Sequence, residues 1–116
     1  MLANKVAADG STAALTWDVS SCPDSNYNLY WGNGSDLSAY TLQNGGLCSL
    51  GTSGSVSPLE LPAIPSGQTF IWWVLAGTDG VSMESSWGKD SSGNERHPAA
   101  SGQCGFTAKS TASTCP

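Results

Sequence analysis

The sequence predicts an all-β protein built as a sandwich of two antiparallel sheets. Short apolar segments alternate with polar residues at a period of two, and clusters of Gly, Pro, Asn and Asp separate these segments. No segment shows the 3.6-residue periodicity of an amphipathic helix. A chain of 116 residues is long enough to form one such domain with its own core.

The first two predicted strands span residues 14–19 and 26–31. Because successive side chains of a strand point to opposite faces, alternate apolar residues are expected to share the core face. These residues are Leu15, Trp17 and Val19 in the first strand, and Tyr27, Leu29 and Trp31 in the second. The pair Asn33-Gly34 then predicts a turn at the end of the second strand.

Three later strands are predicted over residues 55–62, 69–77 and 82–88. Pro58 lacks the N–H that a central strand needs, so it places the first of these at a sheet edge. The strongest signal is the second, which carries the adjacent pair Trp72 and Trp73. One indole of this pair must enter the core while the other points away from it.

The order of these segments resembles the fibronectin type III family. The residues that carry the resemblance are Leu15 to Trp17 for strand B, Tyr27, Leu29 and Trp31 for strand C, Ile64 to Phe70 leading into strand F, and Asp79 to Ser86 leading into strand G. The resemblance covers residues 6–88 and implies an immunoglobulin-like sandwich of about seven strands. Phe70 departs from the family pattern because it replaces a tyrosine whose hydroxyl ties down the corner before strand F.

A finer resemblance links the chain to a bacterial variant of such modules, found in secreted and surface proteins. It rests on the segment SSWGKDSSGNER and on a cysteine-bearing tail. We therefore expect residues 1–88 to form the sandwich core. Residues 89–116 are expected to complete the last strand and to form a disulfide-pinned loop that packs on the same domain.

The register implied by the resemblance places Phe70, Trp72 and Val74 in the core. It also predicts an apolar patch on the outer face of strands C and F, made of Tyr30, Ile71, Trp73 and Leu75. Such a patch favours burial at about 25 cal/mol per Å². Either the tail, with Phe106 as its only aromatic residue, or a partner protein covers it; we favour the partner, because the tail is rich in Gly and Ser.

Four cysteines without a CxxC pair predict two disulfides rather than a zinc site. Pairing between sequence neighbours needs the least rearrangement and predicts the links Cys22–Cys48 and Cys104–Cys115. Disulfides indicate an oxidising compartment, which is the extracellular space, the cell surface or the periplasm. Residues 1–11 lack the features of a signal peptide, so we interpret the chain as a mature form whose leader was removed.

The sequence shows no catalytic constellation, and we expect no enzyme activity, no cofactor and no metal. The single histidine, His97, lies in a polar segment without a specified nucleophile and is expected to be solvated. Asp18, Asp24 and Asp36 are interpreted as separate solvated carboxylates, with a shared calcium site as the weaker alternative. Asn33 begins an N-x-[ST] sequence and is a candidate glycosylation site, although the same residues are explained by a turn.

These observations predict a non-catalytic extracellular module. Its expected partner is another extracellular protein or copies of itself in a surface assembly, such as a globular subunit on a pilus-like filament. The alternatives are a carbohydrate-binding module that uses Trp73 and Tyr30 as a stacking platform, and an inactive accessory domain of a secreted enzyme. Nine acidic against four basic residues argue against nucleic acid, and no apolar run is long enough for membrane insertion.

Overall fold

The computed structural model describes residues 1–37, 40 and 45–112. These residues form eight β-strands and a short 3-10 helix, Gly34–Asp36. The strands are β1 (Leu2–Lys5), β2 (Thr12–Thr16), β3 (Asn26–Asn33), β4 (Gly46–Leu47), β5 (Ser55–Glu60), β6 (Ile71–Thr78), β7 (Met83–Glu84) and β8 (Ala108–Lys109).

The strands form two sheets, which confirms the prediction of a two-sheet all-β protein. One sheet has the order β1-β2-β5, and the other has the order β4-β3-β6-β7-β8. All neighbouring strands are antiparallel except β7 and β8, which are parallel. Strand β8 comes from the tail, so the tail contributes an edge to the larger sheet.

Pro58 lies in β5 at the edge of the smaller sheet, as its missing N–H predicts. The pairing of β5 with β2 is irregular at this point. Ala13 pairs with Leu59 and Leu15 pairs with Val56, so the ladder contains an irregularity between them. The proline is therefore accommodated without interrupting a central strand.

The inter-sheet core lies between the two sheets. Its buried residues are Ala13 and Leu15 from β2 and Leu29 from β3. Partly buried side chains pack around them, notably Trp17, Val56, Leu59, Trp73 and Leu75. The predicted core positions Leu15, Tyr27, Leu29 and Trp31 are all buried, and Trp17 is partly buried.

The predicted register of β6 is wrong by one residue. Directly paired residues of an antiparallel sheet share a face, and Leu29 pairs with Leu75 while Trp31 pairs with Trp73. Trp73 and Leu75 therefore face the inter-sheet core, and Trp72 points to the opposite side. A slip of one residue reverses every side chain of a strand. Both faces of β6 are apolar, so alternation alone did not set its register.

This correction also changes the environments of the three residues of the strand F segment that were predicted to lie in the inter-sheet core. Phe70 precedes β6 and is 47% exposed. Trp72 is buried and Val74 partly buried, but in a second cluster on the outer face of the larger sheet. We call this second cluster the outer cluster, and its buried members are Tyr30, Trp72, Ala76 and Trp87.

The C-terminal part of the chain covers the outer cluster. Trp87 stacks on Tyr30 with 5.1 Å between ring centroids, and Cys104 packs against the same cluster. Phe106 is also buried, with 7% of its surface exposed. The expectation that a partner protein covers this face is therefore wrong, and the tail-covered alternative describes it.

The disulfide Cys48–Cys104 replaces both predicted links. Its cysteines are 56 residues apart in sequence, and their Cα atoms are 5.7 Å apart. Cys48 follows β4 at one edge of the larger sheet, whereas β8 lies at the other edge. The tail therefore crosses the whole sheet, which sequence proximity did not reveal. Cys115 lies outside the described residues, and none of the described cysteines is a free thiol.

Candidate functional site

A buried ion cluster joins the tail to β7. It consists of Glu84 from β7 and of Glu95 and Lys109 from the tail. The Lys109 Nζ lies 3.3 Å from Glu84 Oε1 and 3.8 Å from Glu95 Oε1. The Glu84 and Lys109 side chains are 0% and 2% exposed. Ser101 donates two hydrogen bonds to the Glu84 carboxylate, 2.9 Å from its backbone N and 2.5 Å from its Oγ.

The remaining contacts of the buried ion cluster are also internal. Glu95 accepts hydrogen bonds from Ser86 Oγ and from the backbone N of Trp87, each at 2.6 Å. Lys109 donates to the His97 carbonyl at 2.6 Å and lies 4.3 Å from the centroid of the Trp87 ring. Burial lowers the pKa of Lys109, and the two carboxylates oppose that effect. With these charges held by internal partners, the cluster fastens the tail to the sheet.

The loop residue His97 contacts the aromatic side chain next to the buried ion cluster. Its ring stacks on Trp87 with 4.8 Å between centroids, and its Nδ1 lies 2.7 Å from the Ala99 carbonyl oxygen. His97 therefore lies in a loop, as predicted, but its ring is half-buried against Trp87 rather than fully solvated. A polar segment in sequence gave no sign of this contact, because Trp87 is brought to it by the fold of the tail.

Tyr30 is fully buried, with 0% of its surface exposed. The Asn28 side-chain amide donates to its hydroxyl at 3.0 Å, and burial raises the pKa of Tyr30 to about 12. Tyr30 pairs with Val74, so it lies on the face opposite to Trp73. The predicted patch therefore does not exist as one surface, and Tyr30 with Trp73 does not form a stacking platform.

The three aspartates considered for calcium occupy different environments. Asp18 accepts hydrogen bonds from Ser20 and Ser21, which lower its pKa, whereas burial raises the pKa of Asp24. Asp36 lies in the 3-10 helix. Among the described residues, no group of three or more His, Cys, Asp or Glu side chains is placed to hold a metal ion.

Asn33 is not in an exposed turn. It is the last residue of β3 and is 5% exposed, and the helical residues 34–36 follow it directly. The Asn33 side chain is therefore shielded from solvent, which argues against its interpretation as a candidate acceptor.

Within the described part of the chain, one edge of β6 lacks a paired strand along most of its length. On one side β6 pairs with β3 from Ile71 to Thr78. On the other side its only ladder pair among the described residues is Thr78 with Glu84. Ser85 still donates to the Gly77 carbonyl at 2.8 Å, but the next residues turn away, and the Trp87 N–H bonds to Glu95 instead.

A cleft of about 630 Å³ lies where β6 and residues 85–88 separate. Its apolar wall includes Trp17, Trp73 and Leu75, and its polar lining includes Asp18 and Arg96. Trp17 and Trp73 are only partly buried, so the cleft leads from the surface to the edge of the inter-sheet core.

A second cavity of about 570 Å³ shares Trp73 with this cleft. Its lining includes Ile71 and two strongly exposed apolar residues, Ile64 at 52% and Phe70 at 47%. The Phe70 ring packs on Gly34, where an added Cβ would come within 2.6 Å of ring carbons. We call the two cavities together the Trp73 groove.

Three of the four residues of the predicted patch line the Trp73 groove, namely Ile71, Trp73 and Leu75. They do so from the side of the sheet opposite to the predicted one. Sequence reasoning missed Ile64, Arg96 and the exposure of Phe70. Two signals in the sequence could have pointed to this groove. They are the bend at Gly67 after Ile64-Pro65 and the apolar character of both faces of β6.

The described residues contain no helix that is long and apolar enough to cross a membrane. Comparison with protein-family models, with curated proteins and with solved structures finds no match to this chain.

Proposed function

We propose that this chain is a non-catalytic extracellular module of the fibronectin type III kind that binds a protein partner through the Trp73 groove. The observation that carries the proposal is an apolar groove left open although the C-terminal part of the chain covers the outer cluster of the larger sheet. Exposed Ile64 and Phe70 border it, and Trp73 lies at its centre. Exposed aromatic and aliphatic side chains of this kind are typical anchors of protein interfaces.

The strand order supports the immunoglobulin-like part of the proposal. If β1, β2 and β5 are strands A, B and E, the smaller sheet has the order A-B-E. If β4, β3, β6 and β7 are strands C′, C, F and G, the larger sheet has the order C′-C-F-G. An immunoglobulin-like sandwich divides its strands between two sheets in this way. The Cys48–Cys104 disulfide is compatible with the extracellular part.

The electrostatics also fit a protein partner better than a polyanion. The chain carries a formal charge of −5 at pH 7, so the phosphates of nucleic acids would be repelled. The Trp73 groove combines aliphatic and aromatic side chains with two acidic residues, Asp9 and Asp18, and one basic residue, Arg96. An apolar centre with a polar rim is the composition of a protein interface.

The test uses two groove variants, Phe70→Ser and Ile64→Ser, with Val81→Ser as the matched control. Val81 is 80% exposed and lies outside both cavities, so it reports the effect of removing any exposed apolar side chain. Each protein is used in a pull-down from a mixture of secreted proteins and, separately, in a binding screen against a polysaccharide panel. We expect both groove variants to lose a protein partner that the control retains. Unchanged partner binding in the groove variants would contradict the proposal, and a loss confined to polysaccharide would show that the Trp73 groove binds carbohydrate instead.

A further inference from the structure

We propose that the Trp73 groove binds an extended peptide segment of a partner protein, which adds as a strand to the open edge of β6. This inference rests on the proposed function and adds the mode of binding. The partner segment takes the place beside β6 that residues 86–88 leave vacant. Main-chain hydrogen bonds then hold it in register, as in other cases of strand addition to a sheet edge.

The backbone groups of β6 define which atoms are available. In an antiparallel strand, the N–H and C=O of one residue point to the same side, and the side alternates along the strand. The Thr78 carbonyl accepts from Ser25 on the β3 side, and the Gly77 carbonyl accepts from Ser85 on the β7 side. Ile71, Trp73 and Leu75 therefore direct their backbone groups toward the β7 side.

These backbone groups have no strand partner among the described residues. The ladder between β6 and β7 contains only Thr78 and Glu84, and no backbone hydrogen bond joins residues 71–75 to residues 86–88 in the described part of the chain. Unpaired edges are templates for another strand. The open stretch of five residues is about 16 Å long at a rise of about 3.3 Å per residue, which suits a short extended peptide.

The side chains beside this edge specify the chemistry of the segment. Alternate side chains of an added strand would point into the inter-sheet side of the cleft, toward Trp17, Trp73 and Leu75. These positions favour apolar residues. Asp18 and Arg96 line the same cleft, so a basic residue near Asp18 and an acidic residue near Arg96 complete the match.

The experiment begins with amide hydrogen exchange of the free protein by NMR. We expect the Trp73 and Leu75 amides to exchange fast, because they have no backbone acceptor among the residues that the structure describes. The neighbouring amides of Val74 and Ala76, which point to β3, should exchange slowly. Slow exchange of Trp73 and Leu75 in the free monomer would overturn the proposal. If the protection comes from dimers seen by sedimentation, the occupant is a second copy, and the proposal of a different partner is wrong.

The second step uses a displayed library of linear eight-residue peptides as the probe. A selected peptide should slow exchange at Trp73 and Leu75. It is then made in two N-methylated forms that block alternate sets of peptide N–H groups. Strand addition predicts that one form loses affinity by about tenfold or more, while the other binds nearly as the parent does. Equal effects of both forms, or a library without binders, would overturn the proposal.

The outcomes separate the mode of binding from the proposed function. A partner that depends on Phe70 and Ile64 but leaves the Trp73 and Leu75 amides unprotected supports the function and overturns strand addition. Partner binding that survives both groove substitutions contradicts the function itself.

Discussion

Replacing Lys109 by Met tests how the tail is held on the outer face. Lys109 is the only cation within 4 Å of Glu84 or Glu95 among the described residues, and its side chain is 2% exposed. The Met side chain is about as long as that of Lys and is apolar like the methylene stem of Lys. The substitution therefore removes the charge while preserving most of the packing. Glu84 and Glu95 would then remain buried without a counter-ion.

The expected loss in the free energy of unfolding is about 3–5 kcal/mol, which is the cost of removing one partner from a buried ion pair. The two hydrogen bonds from Ser101 to Glu84 remain, so we expect the lower part of this range. A loss of this size is a large fraction of the 5–15 kcal/mol that typically stabilises a domain.

The assay is urea unfolding followed by tryptophan fluorescence, with Lys89→Met as the control because Lys89 is exposed. The control should change the free energy of unfolding by less than about 0.5 kcal/mol. If Lys109→Met and Lys89→Met lie within about 0.5 kcal/mol of each other, the buried ion cluster does not fasten the tail.

Other parts of the structure can be tested by substitution and by disulfide mapping. Tyr30→Phe should remove a pH dependence of the free energy of unfolding. The raised pKa of Tyr30 stabilises the fold below pH 10, and this contribution, about 2–3 kcal/mol, is lost as the pH rises to about 12. A wild-type-minus-variant difference that stays constant over this range in urea unfolding would contradict the assignment. Digestion with trypsin and a protease that cleaves before Asp places the four cysteines in separate peptides, and mass spectrometry should link residues 36–78 to residues 97–109. A link between residues 18–23 and 36–78 would instead support Cys22–Cys48. Trp73→Ala should cost about 3–5 kcal/mol of unfolding free energy and Phe70→Ala less than about 1, because only Trp73 packs on the inter-sheet core. Equal losses would contradict the corrected register.

The two-sheet all-β architecture was predictable from the sequence because it depends on local signals. Alternation located β2 and β3, and Pro58 placed β5 at an edge. The register of β6 was not predictable in the same way. Its two faces are both apolar, so only the pairing of Trp73 with Trp31 decides which indole enters the core.

The candidate site depended on contacts between distant residues, and little of it was predictable. The tail is rich in Gly, Ser and Thr, and nothing in that composition indicates that Lys109 reaches Glu84 or that Cys104 reaches Cys48. The open edge of β6 results from the departure of residues 86–88, which the bond between Trp87 and Glu95 maintains. Sequence patterns identify strands, but they do not show where two strands separate.

The central claim is that the tail covers Trp72 while Trp73 opens into the groove. Hydroxyl-radical footprinting with tandem mass spectrometry tests it directly, because fragment ions distinguish these adjacent residues. Trp72 is 6% exposed and Trp73 is partly exposed, so Trp73 should be oxidised first. Exposed Phe70 should be oxidised as well, and Trp87, at 3%, should be protected. Oxidation of Trp72 before Trp73 would contradict both the register of β6 and the position of the tail.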